Sequence, residues 1–393
     1  MVSTEERNAA LRFIVCLGAV SLFADMTYEG AYSAIGPLFK ELGASAAALG
    51  LVSGLGEMIA ASLRFFSGRL VDRTRAYWAV AICGYCLNVM VIPAMAFAGN
   101  WQMLALLVVI ERTGKSLRGP ARDVLLSEAT SKIGHGWGFG VHAAMDQTGA
   151  VLGPLFVAAA VAQKQHFGPA FLRLAFPAAA ALIALLVARF VYPQAGKATP
   201  KQAKTVVLPR VFWWYVAGAG LLALGYADFP LLAYRFQSTA MIKPEVIPVL
   251  YAGAMGMEGL AALVIGRLFD RVGIGIFSLG IAISLAGLPL GFLGGPAAGI
   301  LAVACWGIGM GAQDACLRSG IAQVVSMNKR GSAFGAFNGV FGIAWFLGSV
   351  TMGQLYDHSL MALVAFGAVA QVLAAIVFLK LRAPLAQAAA ASA

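Results

Sequence analysis

About thirteen charged residues fall well inside long apolar runs of this 393-residue chain, where ordinary solubility gives no reason for them. They are Asp25, Glu29, Glu57, Arg64, Glu111, Arg112, Lys115, Asp146, Asp228, Arg235, Glu258, Asp314 and Arg318. A charge at bilayer depth costs about 2.5–3.5 kcal/mol on insertion scales and is usually functional. Asp25 and Glu29 are four residues apart, so they share a helical face, bordered by Tyr28 and Tyr32. Two carboxylates this close in low dielectric resist joint ionisation, the behaviour that proton coupling requires. A static network with bases is the alternative. Glu57 lies eleven residues before Gly68, about 16 Å along a helix, and is a second coupling candidate. His142 and Asp146, again one turn apart, are a candidate proton relay, because a nearby carboxylate tunes a histidine across the physiological range. Arg112, Lys115, Arg118 and Arg122 form a basic row at helical spacing. That row could pair with the acids or hold an anionic group of a substrate, since arginine favours bidentate contact with carboxylate or phosphate. Further along, Asp228, Glu258, Asp314, Arg318 and Asn338 extend the set of candidates. Asp228 joins the proton-coupling group; the others, with Tyr28, Tyr32, Arg112 and Lys115, are candidate substrate contacts.

The elements that must position these residues follow from composition. Hydrophobic residues make up 60% of the chain and charged residues 11%, against about 25% charged in soluble domains. A span needs about 20 apolar residues. Twelve segments qualify, at approximately 11–39, 45–67, 77–98, 101–126, 137–162, 169–192, 211–236, 246–265, 274–293, 296–318, 333–354 and 359–380. Backbone cannot face lipid unless its polar groups are satisfied internally, so each should be a helix. One set of connections carries Arg69, Arg73, Arg75, Arg122, Lys132, Lys197, Lys201, Lys204, Arg210, Arg267, Arg271, Lys329 and Arg330. That side should be cytoplasmic, with both termini, in a plasma (inner) membrane. The polar stretch 193–210 divides the chain into a six-helix bundle at 1–192 and another at 211–393.

The two halves repeat. Gly68-Arg-Leu-Val-Asp72-Arg73 returns as Gly266-Arg-Leu-Phe-Asp270-Arg271, at an offset of 198. Phe139-Gly140 returns as Phe334-Gly335, and Ala24-Asp25 as Ala227-Asp228. Paired repeats are a transporter architecture, with binding near mid-bilayer between them. On these residues the chain resembles the major facilitator superfamily over its whole length. That family's signature after the second helix reads G-x-L-a-D-R-x-G-R; here Arg75 and Ala76 replace its final Gly-Arg. The resemblance implies an all-α fold of twelve helices in two six-helix pseudo-repeats. It also implies that Gly68, Asp72, Arg73, Gly266, Asp270 and Arg271 act in a conformational gate. The fifth segment resembles the family's antiporter signature G-x8-G-x3-G-P-x2-G-G, through Gly140, Gly149, Gly153 and Pro154, with Val157 and Ala158 in place of the last glycines.

These readings converge on a proton-coupled carrier that exports a small amphipathic or anionic molecule by alternating access. Proton-coupled uptake of an organic anion, or lipid transport, is the alternative. The chain has no P-loop sequence, so the proton gradient is the expected drive and no cofactor is expected. An embedded enzyme is not the reading, because no nucleophile or metal set accompanies His142 and Asp146. The expected partners are substrate, protons and the lipid bilayer, with no nucleic acid, and the chain should act as a monomer. The net charge of +11 then reflects a basic rim around an acidic interior, since eight of the embedded charges named above are acids and five are bases.

Overall fold

The computed structural model describes residues 4–130, 135–164, 166–192, 208–325 and 330–392. Lys132, Lys197, Lys201, Lys204, Lys329 and the side chain of Asp72 lie outside the described residues, as does most of the 193–210 connection. Every regular element among the described residues is helical: α1 (Thr4–Glu41), α2 (Ala46–Thr74), α3 (Tyr77–Ala94), α4 (Trp101–Thr130), α5 (His135–Lys164), α6 (Gly168–Arg173), α7 (Ala175–Val191), α8 (Arg210–Leu224), α9 (Phe229–Ser238), α10 (Val246–Val272), α11 (Phe277–Leu293), α12 (Pro296–Val324), α13 (Arg330–His358) and α14 (Leu360–Ser392).

Side chains are distributed for lipid, not water. On α7, Phe176, Ile183 and Phe190 are 74%, 63% and 82% exposed, while Ala178, Ala181 and Ala188 on the opposite face are buried. Helices in lipid gain nothing from hiding large apolar groups, so small residues take the contacts and allow close approach. In water such a continuous apolar stripe would drive aggregation. Ten runs among the described residues are long and apolar enough to span a bilayer. One, Val246–Leu293, is 48 residues long and holds both α10 and α11. The 30-residue α4 is not among the ten, because seven of its residues are charged. Ten runs thus stand against the twelve segments expected.

The chain divides into two compact units. The first comprises Met1–Gly43, Ser62–Lys201 and Pro244–Ala252; the second comprises Ala44–Ala61, Gln202–Lys243 and Gly253–Ala393. In the first, Phe13, Leu17 and Val20 of α1 meet Tyr77, Trp78, Ala81 and Tyr85 of α3, Leu125 and Ala129 of α4, and Leu185 of α7. The ring of Phe13 stacks on Tyr192 at 4.9 Å and meets Trp78 edge-on at 6.0 Å. In the second, Phe378 of α14 packs edge-on against Tyr215 of α8 and Phe277 of α11. The Tyr215 hydroxyl reaches the carbonyls of Cys316 and Leu317 on α12, so the buried phenol keeps a hydrogen bond.

Candidate functional site

The face of α4 set by the spacing of Arg112, Lys115 and Arg118 turns into the first unit. Arg112 and Arg118 are each 3% exposed. Arg112 donates through Nη1 to the Tyr28 hydroxyl, and its guanidinium lies 5.0 and 5.2 Å from the ring centres of Tyr28 and Tyr32. The Lys115 ammonium sits 3.3 Å from the Tyr28 ring centre. The two tyrosine rings stack at 6.0 Å, one turn apart on α1. Desolvated cation–π contacts of this kind hold a base where water cannot. Arg112 is also 3.5 Å from the Glu111 carboxylate, which accepts a hydrogen bond from Asn88 on α3. Arg112, Lys115, Tyr28 and Tyr32 therefore form one aromatic–cationic wall.

The acids meet partners that spacing alone did not indicate. Asp25 pairs with Arg118 at 3.2 Å, and the same guanidinium lies over the Tyr85 ring at 4.6 Å. Asp146 of α5 lies close enough to Asp25 for the two carboxylates to act on one another. Glu29 accepts a 2.6 Å hydrogen bond from the Tyr251 hydroxyl. His142 is bonded through Nε2 to the Ser21 hydroxyl at 2.9 Å. Asp25 and Glu29 act on one another across one turn of α1, and the structure adds Arg118 beside Asp25, Tyr251 beside Glu29 and Ser21 beside His142. Residues one turn apart share a face, but α5 crosses α1 so that successive turns meet different neighbours. Tyr85, Asn88, Ser21 and Tyr251 escaped the sequence reading. Their signal was a polar group inside an apolar run, clearest for the lone amide of Asn88 on α3.

In the second unit the expected continuous seventh span, 211–236, is broken. α8 ends at Leu224, Tyr226–Asp228 are not helical, and α9 begins at Phe229. Pro230 in the first turn of α9 has no N–H to continue the helical ladder. The freed carbonyls are answered by side chains: Gly225 by Gln371, and Ala227 by the Trp306 indole. Asp228, the repeat partner of Asp25, accepts from the Trp345 indole at 2.9 Å and the Ser349 hydroxyl at 3.0 Å. A small cavity beside it is lined by Ser53, Ser349 and Leu231. Glu258 is half-buried and faces the Tyr226 phenol. Asn338 is half-buried on α13, whereas Asp314 and Arg318 are exposed on α12, where no ion pair joins them among the described residues. Glu57 is half-buried on α2, in the stretch that belongs to the second unit.

The repeated Gly68–Arg73 and Gly266–Arg271 motifs, expected after their helices, lie within α2 and α10. Arg73, Asp270 and Arg271 are exposed there. α10 then stops at Gly273, in the left-handed region at φ 72°. Its counterpart Arg75 adopts φ 54°. On α5, a Cβ at Gly149 or Gly153 would collide with the carbonyl oxygens of Leu22 and Met26 on α1. Gly140 faces open space, and Pro154 is accommodated inside the helix. Among the described residues, no three His, Cys, Asp or Glu side chains gather as a metal-binding group.

This arrangement has known counterparts. Residues 16–349 match the family model of the Major Facilitator Superfamily. An uncharacterized protein of Mycobacterium bovis is 36% identical over 391 residues, covering 97% of this chain and 96% of that one. An uncharacterized MFS-type transporter of Methanocaldococcus jannaschii is 24% identical over 388 residues, covering 93% and 94%. Among solved structures, a mutant of the nucleoside transporter NupG superposes with a TM-score of 0.78 at 14% identity, covering 94% of this chain and 99% of that one. A bacterial homolog of the human lysosomal transporter Spinster gives 0.69 at 14% identity, covering 98% and 97%. With the family model spanning most of its helices, the chain belongs to the Major Facilitator Superfamily and is a multi-pass membrane transporter.

Proposed function

We propose that the chain is a proton-driven antiporter that exports a small amphipathic molecule by alternating access, acting as a monomer in the plasma (inner) membrane with both termini in the cytoplasm. One observation carries this reading: the acids of α1 and α5 meet the basic row of α4 inside the first unit, with Asp25 3.2 Å from Arg118. Buried ionisable groups that face one another are the usual equipment of proton-driven carriers. The wall of Tyr28, Tyr32 and Tyr251 beside those charges suits a substrate with one apolar and one polar end. The glycines of α5 that resemble the antiporter signature support export. No cofactor is needed, since the proton gradient supplies the drive.

Arg112 and Lys115 favour a second reading, proton-coupled uptake of an organic anion. The nucleoside and peptide transporters among the structural neighbours show only that this fold accommodates polar organic molecules. A thermal-shift screen of the purified protein identifies a ligand, because binding to the native state raises apparent stability. That ligand is then followed in proteoliposomes under an imposed pH gradient. Movement opposite to the proton flow is expected. Movement with the protons selects uptake instead, and transport indifferent to the gradient rejects both. Scrambling of labelled lipid without a gradient would point to lipid transport.

A further inference from the structure

Asp228 holds the N-cap position of α9, where an aspartate ordinarily bonds the open N–H groups of the first turn. Its side chain makes no such bond. The N–H groups of Leu231 and Leu232 go to its backbone carbonyl instead. The carboxylate is turned to α13, where the Trp345 indole and the Ser349 hydroxyl donate to one oxygen each. A negative charge has thus been drawn away from the positive end of its own helix, its usual place of greatest stability. Where it points, the second unit holds the small cavity already described, about 10 Å³, with room for one water-sized particle.

Glycines decide what else reaches that cavity. A Cβ at Gly50 of α2 would collide with the Ser349 carbonyl oxygen, and one at Gly54 would press on Ser349 and Phe346. Ser53 shares their face, so this close crossing of α2 and α13 sets the hydroxyls of Ser53 and Ser349 beside the carboxylate. All three residues are buried. Ser349 uses its proton on Asp228, so its oxygen has only lone pairs left to offer. The Ser53 hydroxyl has no hydrogen-bond partner among the described residues. Leu49, Leu231 and Met352 close the cavity with apolar side chains, and the one formal charge in its lining is negative.

We propose that this cavity binds a single sodium ion, held by the Asp228 carboxylate and the hydroxyls of Ser53 and Ser349 at the break between α8 and α9. Hard cations take oxygen ligands, and these three groups supply them without the cluster of acids and histidines that a transition metal needs. One carboxylate balances one positive charge; a divalent ion would leave the buried site at +1, which a low-dielectric interior resists. The backbone-to-backbone crossing of α2 and α13 keeps the cage small, and cage size favours sodium over the larger potassium ion. Interrupted membrane helices are natural places for such ions, because unwound backbone and buried oxygens lie together there. A water molecule fits the same space but brings no charge. The bound ion joins the start of α9 to α2 and α13. The proposal goes beyond the proton-coupled reading and does not rest on it: sodium binding is measured without transport, so either can fail alone.

The test is thermal unfolding of the purified full chain in sodium, potassium or choline chloride at equal ionic strength. Sodium should raise the apparent Tm saturably, by about 2 °C or more, because an ion that binds the native state stabilises it. Ser53→Ala should unfold near the wild-type temperature in choline but need about ten times more sodium for half of the rise. Asp228→Asn should lose the rise altogether. Equal Tm values of the wild type in the three salts overturn the proposal and leave water as the occupant. A rise as large with potassium as with sodium overturns it too, as does an unchanged half-saturation in Ser53→Ala or a retained rise in Asp228→Asn. Ser53→Ala decides the matter even where Asp228→Asn fails to fold.

Discussion

Arg75 and Gly273 occupy the same turn in the two copies of one motif, and both have left-handed backbone. For a residue with a Cβ that conformation costs roughly 1–2 kcal/mol. Glycine would relieve it, offset by about 0.5–1 kcal/mol of added unfolded-chain entropy. We predict that Arg75→Gly raises stability by up to about 1 kcal/mol, read as a higher apparent Tm in detergent; a lower Tm refutes the strain argument. At this scale the sequence was informative about residue types and poor about partners. The basic row of α4 and the acids of α1 and α5 could be named from spacing, because periodicity decides which face a side chain takes. That Asp25 meets Asp146, 121 positions away, depends on how two helices cross, and no local pattern encodes it.

Helices α1 and α5 approach so closely that Gly149 and Gly153 lie directly on the carbonyls of Leu22 and Met26. The same signature includes Gly140, which faces open space. These glycines are therefore not equivalent. Gly149→Ala and Gly153→Ala should each destabilise the protein by about 1–3 kcal/mol, the cost of overpacking. Gly140→Ala should change its stability by well under that. Thermal unfolding of the three variants decides the matter, and equal effects at all three positions would contradict the packing. The glycine row was visible in the sequence; which of its members touch was not. The break between α8 and α9 had a readable cue in Gly225 and Pro230, five residues apart. Hydropathy hid it, because the run stays apolar on both sides and membrane helices tolerate proline. The break leaves Asp228 held by neutral donors, whereas its repeat partner Asp25 is ion-paired. The duplicated acids have thus come to occupy different chemical settings.

For the whole molecule, composition was decisive. A chain with 60% hydrophobic residues and repeated motifs specified a helical membrane protein before any coordinate was known, because bilayer solvation leaves few alternatives. Counting spans was harder, since it relies on the same hydropathy that charged function erodes. Helix α4 is the case in point. Its seven charges keep it from registering as a span, yet Glu111, Arg112 and Arg118 are almost wholly buried.

That feature bears on how the chain is made. Near the middle of a segment each charge adds about 2.5–3.5 kcal/mol to the free energy of leaving the translocon for lipid. α4 is therefore too polar to partition alone as it leaves the ribosome. Its immediate predecessor α3 has no charged residue and presents Asn88 to Glu111, so the two can enter as a hairpin with part of the polar load already satisfied. We predict that α4 fused alone to a glycosylation reporter fails to integrate, that α3–α4 integrates, and that Asn88→Leu lowers the yield of the pair. Efficient integration of isolated α4 would show that the nascent helix does not need its neighbour.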